Sequence, residues 1–178
     1  MRTMLRMGLL ACLLTGAAPA LAEREEPSTP QERARVVQFT HRLESDPLGS
    51  DARAEQQWLV GWIRDVPDVT VTVCDMAELP PDERYAWSPT LLIQMMASNA
   101  AFQIENPDQA NDPVAVQGAA LKGALKAYSA IVKRKPAARL ASLDRLLAEM
   151  NDGRLDRRMK ALVAQRCTAH DSGAADEI

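Results

Sequence analysis

Apolar residues recur every three or four positions along most of this chain, and that spacing places them on one side of a helix. The first such run follows Thr29, where the order Thr-Pro-Gln-Glu is typical of a capping box with proline in the first helical turn. This run ends at Asp46. A second run begins at Ser50 or Asp51 and ends at Pro67. The pattern therefore predicts two helices in the first part of the chain.

Residues 68–74 follow a different pattern, in which valine alternates with polar residues or cysteine. Alternation of this kind is the period of an extended chain. No second run in the sequence pairs with it convincingly, so we expect an isolated extended segment or a short edge strand. The two sides of the segment are Val69, Val71 and Val73 on one, and Thr70, Thr72 and Cys74 on the other.

Two longer helical runs come next. The first opens at Ser88 with a proline behind it and is apolar nearly all round as far as Ile104, which indicates a helix inside the fold. The second begins at Asp112 and continues to about Lys135. Its many alanines and glycines form a thin side that lets a neighbouring helix approach closely.

Two shorter runs complete the pattern, one after Pro136 that extends to Met150 and one from Leu155 to Cys167. The sequence thus predicts an all-α fold, a compact bundle of five or six helices with one short extended segment at about residues 69–74. The connections are too short to separate domains.

Four residues near the end of the fourth predicted helix are spaced as in a known repeat. Ala124, Tyr128, Ile131 and Pro136 resemble the second helix of a tetratricopeptide repeat with its terminal proline. The resemblance is confined to this stretch, and it implies a helical hairpin and nothing about ligands.

The first residues are typical of an export signal. Arg2 and Arg6 precede a short apolar stretch, and Ala20-Leu21-Ala22 offers small residues where a signal peptidase cuts. We therefore expect a cleaved signal peptide at residues 1–22 and a periplasmic or secreted protein. Cleavage after Ala20 and lipid attachment at Cys12 are the alternatives.

The rest of the chain is expected to hold a disordered linker at 23–29, a single helical domain at 30–167 and a disordered tail at 168–178. No transmembrane segment is expected after signal cleavage. The whole chain has 21 basic and 24 acidic residues and a net charge of −3, so loss of two arginines with the signal leaves −5. A mildly acidic protein has no general attraction to nucleic acid, and no nucleic-acid partner is expected.

Two cysteines remain after signal cleavage, Cys74 and Cys167. Paired cysteines in an oxidising compartment usually form a disulfide, and we expect one here. Such a bond requires the last helix to lie over the extended segment. A reactive thiol or a metal pair is the alternative interpretation.

No pattern in the sequence identifies catalytic residues, a cofactor or a metal site. The only histidines are His41, in the first predicted helix, and His170, in the expected tail, and neither has zinc-ligand spacing or a serine-nucleophile motif beside it. Acidic residues cluster around the extended segment, and a pair of them could perform acid–base chemistry. These residues are Asp65, Asp68, Asp75, Glu78, Asp82 and Glu83.

Aromatic and amide side chains are the candidate ligand-binding residues. Trp58 and Trp62 lie one helical turn apart, and Trp87 follows later; they either pack in the core or line a groove for a peptide or glycan. Asn99, in the apolar central helix, either forms structural hydrogen bonds or marks a ligand pocket.

These observations favour an exported helical binding or interaction module whose partner is a protein, peptide or glycan. The alternative is a hydrolase of an unfamiliar helical family that uses the loop carboxylates or polar groups near Asn99. An acidic residue hydrogen-bonded to His41 in the largest cavity would count against the binding hypothesis.

Overall fold

The structure is a computed structural model that describes residues 24–74 and 84–167. In this part of the chain it has six α-helices and no strand, which confirms the predicted all-α fold. The helices are α1 (Pro30–Ser45), α2 (Ala52–Asp65), α3 (Ser88–Glu105), α4 (Pro113–Arg134), α5 (Ala141–Asn151) and α6 (Leu155–Arg166), with a 3-10 helix at Pro136–Ala138. The predicted signal peptide, with its cleavage sites and Cys12, and the predicted tail with His170 lie outside the described residues.

Two helices begin as their sequences predict. The side chain of Thr29 accepts a hydrogen bond from the Glu32 backbone N–H, and the Glu32 carboxylate accepts one from Thr29 in return. Asp112 accepts hydrogen bonds from the first two N–H groups after Pro113, at 2.8 and 3.2 Å. Local side-chain chemistry therefore sets the starts of α1 and α4.

The start of α5 differs from the prediction. Pro136 opens a 3-10 turn instead of the helix, and Leu140 stays extended with φ −134° and ψ 122°. The cause is Tyr128 of α4, whose hydroxyl accepts a hydrogen bond from the Leu140 N–H at 2.9 Å and donates one to Asp144 at 2.8 Å. Tyr128 and Leu140 are too far apart in the sequence for the local apolar pattern to show this contact. Because the contact holds Leu140 extended, α5 begins only at Ala141.

α3 lies at the centre of the fold and contributes to two groups of buried side chains. Leu91 and Met95 pack with the apolar faces of α4, α5 and α6. Ala97, Ala100 and Ala101 pack with α1, α2 and the start of the extended segment. The nearly all-round apolar pattern of α3 thus reflects contact with helices on both sides.

Side-chain amides hold the extended segment. The Gln103 Nε2 donates to the carbonyl of Thr70 at 2.9 Å, and Asn99 and Gln117 both donate to the carbonyl of Thr72, at 3.0 and 2.5 Å. The Gln117 Oε1 accepts from the N–H of Cys74 at 3.4 Å. These amides satisfy backbone groups that a neighbouring strand would otherwise bind, so the segment stays extended without belonging to a sheet.

Cys74 and Cys167 lie at disulfide distance, with their Cα atoms 5.4 Å apart. The predicted geometry is confirmed, since the end of α6 lies over the end of the extended segment. The bond closes a loop across a separation of 93 residues. No helix in the described ranges is long and apolar enough to cross a membrane.

Residues 24–29, part of the predicted linker, form ion pairs and hydrogen bonds with the helical domain. The guanidinium of Arg24 contacts the Glu32 carboxylate at 2.8 Å. Ser28 donates to Asp68 through its backbone and its hydroxyl, at 2.8 and 2.9 Å, and Arg33 contacts the same carboxylate. These contacts join the segment before α1 to Asp68, which follows α2.

Candidate functional site

Three adjoining depressions follow one side of α4. The first, called here the large cleft, has a volume of about 680 Å³ and lies where α1, α3 and the first half of α4 meet. The middle depression, about 430 Å³, lies between α1, α4 and α5, and the end depression, about 440 Å³, lies between α4 and α5. Each shares lining residues with the next, so together they form one groove, called here the α4 groove. The shared residues are His41, Glu44, Lys126 and Met150, then Ser129, Lys133, Leu147 and Asn151.

The wall of the large cleft is mainly apolar and made of small side chains. Its two largest apolar side chains are those of Phe102 and Met150. Gly118, which has no side chain, leaves part of the α4 surface bare. Small residues on α4 therefore create the space that bulkier ones would fill. The other apolar residues of the wall are Ala101, Val114, Ala115 and Ala119.

Charged groups surround this wall, and most are paired. Lys122 contacts Asp156 at 2.6 Å, and Lys126 contacts Glu44 at 2.9 Å. At the opposite end of the groove Arg139 pairs with Asp144 at 3.2 Å, and Lys133 has no ion pair within the described part of the chain. The end depression therefore holds one lysine that is free to pair with a ligand.

His41 and Glu44 separate the large cleft from the middle depression. The imidazole Nδ1 lies 3.2 Å from a Glu44 oxygen, and Nε2 lies 3.0 Å from an oxygen of Glu105 on α3. The hydrogen bond to Glu105, followed by that to Glu44, raises the pKa of His41 above its ordinary value. The two carboxylates thus favour the imidazolium.

Glu44 is the most highly connected side chain of the groove and is nine-tenths buried. One oxygen contacts His41 and Lys126, and the other accepts a hydrogen bond from the Ser98 hydroxyl at 3.4 Å. Gly123 makes room for this arrangement, because a Cβ there would lie 1.9 Å from the Ser98 Oγ. The buried carboxylate is therefore held by partners from three helices.

The described contacts do not form a serine–histidine pair. The Ser98 hydroxyl is directed at Glu44, and both nitrogens of His41 already contact carboxylates. A serine–histidine pair needs a ring nitrogen within hydrogen-bond reach of the hydroxyl, and Ser98 is itself buried. The described contacts therefore pair His41 with carboxylates and not with the Ser98 hydroxyl.

The tryptophans predicted as ligand-binding residues lie away from the groove. Trp58 and Trp62 stack with ring centroids 6.5 Å apart, and Phe39 meets Trp58 edge-on at 5.4 Å. The guanidinium of Arg35 lies 4.5 Å from the Trp58 ring. Trp87 packs with the other group of buried side chains, beside α4 to α6. The structure therefore does not bring the three tryptophans together.

Asn99 is fully buried, and its amide is occupied. Its Nδ2 donates to Thr72, and its Oδ1 accepts from Gln103 at 2.7 Å. It does not line the α4 groove. Its contacts are those of a residue that holds the extended segment.

The loop carboxylates proposed for a hydrolase are only partly described. Asp65 pairs with Arg64, which lowers the pKa of the Asp65 carboxyl. Asp68 binds Ser28 and Arg33, and neither acid lines the α4 groove. Asp75, Glu78, Asp82 and Glu83 lie outside the described residues.

Sequence reasoning did not assign the groove residues a role, although two local signals were present. His41 and Glu44 are one helical turn apart, and Lys122, Lys126 and Lys133 recur at helical spacing on α4. Glu105 gave no such signal, because it lies 64 residues from His41. Only the packing of α1 on α3 joins them.

Within the described residues no group of three or more His, Cys, Asp or Glu side chains is placed to hold a metal ion. No protein-family model matches the chain, and neither a curated protein nor a solved structure matches it.

Proposed function

We propose that this protein is a periplasmic or secreted binding module that holds an extended peptide segment of a partner in the α4 groove. The observation that carries the proposal is the continuity of the three depressions. α4 has 22 residues, so it is about 33 Å long at 1.5 Å per residue. A small molecule occupies one pocket, whereas an extended chain can contact all three.

The lining favours a peptide over a glycan. Sugar rings are commonly bound on flat aromatic faces, and none of the three tryptophans lies in the groove. The small apolar wall of the large cleft can instead accept an apolar side chain, and the charged groups along the groove can orient the rest. The disulfide between Cys74 and Cys167 is compatible with export.

The experiment selects peptides on the immobilised protein from a displayed library of random ten-residue sequences. Their dissociation constants are then measured by fluorescence anisotropy. Ala119→Trp fills the wall of the large cleft, and Ala34→Trp is the matched control because Ala34 is exposed on α1 outside the groove. We expect affinity to fall at least tenfold with Ala119→Trp and to stay unchanged with Ala34→Trp. Equal binding by both variants, or no selected peptide, would contradict the proposal.

A hydrolase is the second candidate, and one observation favours it. The large cleft combines His41 with two carboxylates, Glu44 and Glu105, at hydrogen-bond distance. A panel of chromogenic ester, peptide and glycoside substrates tests this alternative. Turnover by the wild type that disappears with His41→Gln would support a hydrolase at this site, and the absence of turnover would favour the binding module.

A further inference from the structure

We propose that His41 is a proton-operated latch in the wall between the large cleft and the middle depression: when protonated it joins α1 to the end of α3, and when neutral it releases Glu105. Its role in controlling ligand access rests on the proposed peptide-binding function. The latch itself is a property of the ligand-free protein and can be tested without any peptide.

The number of protons on the His41 ring decides how many carboxylates it can donate to. Both ring nitrogens of His41 lie within hydrogen-bond distance of a carboxylate oxygen, one on Glu44 and one on Glu105. An imidazolium has two N–H groups and can donate to both, whereas a neutral imidazole has one. In the neutral form a ring lone pair would therefore face a carboxylate, and that contact must open.

Glu105 is the contact that opens. Glu44 is nine-tenths buried and keeps Lys126 and Ser98 as partners in either state of the ring. Glu105 is 40% exposed, and His41 is its only ion-pair partner within the described ranges. Water can replace the imidazole at Glu105 more easily than at Glu44.

The other charged groups around the large cleft already have partners. Asp112 binds the first N–H groups of α4, and Asp156 pairs with Lys122. They therefore do not compete for the His41 ring. The titratable groups that line the large cleft with His41 are Glu44 from α1, Glu105 from α3, Asp112 before α4, Lys122 and Lys126 from α4, and Asp156 from α6.

The direction of the pH effect follows from the geometry. The two carboxylates raise the pKa of His41 above 6.5, its ordinary value. Both contacts are thus complete below pH 6.5, and the Glu105 contact is lost as the pH rises through the raised pKa. Loss of the proton also removes one positive charge from the wall between the large cleft and the middle depression, which favours a cationic ligand group there.

The test is an NMR titration of the full chain without ligand, observing the His41 ring and the side-chain carboxyl carbon of Glu105. All samples carry His170→Gln, so that only one histidine titrates. Glu105→Gln removes the α3 partner, and Asp156→Asn is the matched control because it removes a carboxylate of the same cleft that pairs with Lys122.

We expect the Glu105 carboxyl signal to show a step at the titration midpoint of His41. We also expect the His41 midpoint to move down with Glu105→Gln and to stay in place with Asp156→Asn. A His41 midpoint that Glu105→Gln leaves unchanged, or a Glu105 signal without that step, would overturn the latch.

The pH dependence of peptide affinity then tests the link to function. Wild-type affinity for a selected peptide with a cationic group should rise with pH through the His41 midpoint, and His41→Gln should flatten the profile. An affinity that does not follow the His41 midpoint would refute control by the latch. Failure to select any peptide would refute the proposed function and leave the NMR result standing.

Discussion

Gly123 lies at a close contact between α4 and Ser98 of α3, and its replacement by alanine is a sharp test of this packing. A Cβ at this position would lie 1.9 Å from the Ser98 Oγ, 2.6 Å from the Ser98 Cβ and 2.9 Å from the Glu44 Oε1. Rotation of the serine hydroxyl relieves only the first contact, because the Ser98 Cβ belongs to the body of α3. The two helices must therefore separate, or the Ser98–Glu44 contact must break.

The same helix supplies a control. A Cβ at Gly118 would meet only the Met159 Cγ, at 4.0 Å, which is ordinary contact. Alanine in place of glycine inside a helix gains up to about 1 kcal/mol, and overpacking costs about 1–3 kcal/mol, with about 1 kcal/mol more for each hydrogen bond lost. Gly118→Ala should thus stabilise the protein slightly. Gly123→Ala should destabilise it by about 1–3 kcal/mol.

Urea denaturation followed by circular dichroism measures both variants against the wild type. We expect the midpoint to fall for Gly123→Ala and to hold or rise for Gly118→Ala, with unchanged slopes. Gly61→Ala in α2, where nothing lies within 4 Å of the added atom, is a second control. A Gly123→Ala protein as stable as the Gly118→Ala protein would show that the α3–α4 contact is looser than described.

Three further predictions concern the disulfide, the extended segment and the start of α1. Replacing Cys74 and Cys167 by alanine should lower the free energy of unfolding by about 4–5 kcal/mol in the chain-entropy treatment, and an unchanged urea midpoint would refute the cross-link. Asn99→Ala should cost about 1–3 kcal/mol through the lost bonds to Thr72 and Gln103 and leave peptide affinity unchanged; weaker peptide binding at equal stability would instead indicate a ligand contact. The Arg24 guanidinium and the Thr29 hydrogen bonds lower the pKa of Glu32 from 4.5 to about 2, so its stabilisation is complete above pH 4.5 and is lost as the pH falls to 2. Stability measured across that interval should decline less steeply with Glu32→Gln, and parallel curves would contradict the assignment.

The helices could be predicted because each depends on residues close together in the chain. The apolar period of α3, the capping residues Thr29 and Asp112 and the proline that follows each cap act over one or two turns. The start of α5 could not be predicted in this way, because Tyr128 holds Leu140 from another helix.

The candidate site was less predictable than the fold. Trp58, Trp62 and Asn99 carried clear local signals, yet their partners lie within the packed domain. The groove depends on what α4 lacks, namely bulk at Gly118 and Ala119. Small side chains leave a cleft only where neighbouring helices enclose the space beside them.

The sequence alone determined the helical class and the starts of α1 and α4, which their caps and prolines set, and it predicted the pairing of Cys74 with Cys167. Tertiary structure alone decided which charges meet. His41 and Glu44 are neighbours on one helix, but Glu105 reaches the same ring only because α1 packs across the end of α3. Helices follow from backbone geometry within a few residues, so the periodic pattern of the sequence predicts them. A cleft and its charge pairs depend on contacts between segments that are distant in the chain, and the periodic pattern contains no information about those contacts.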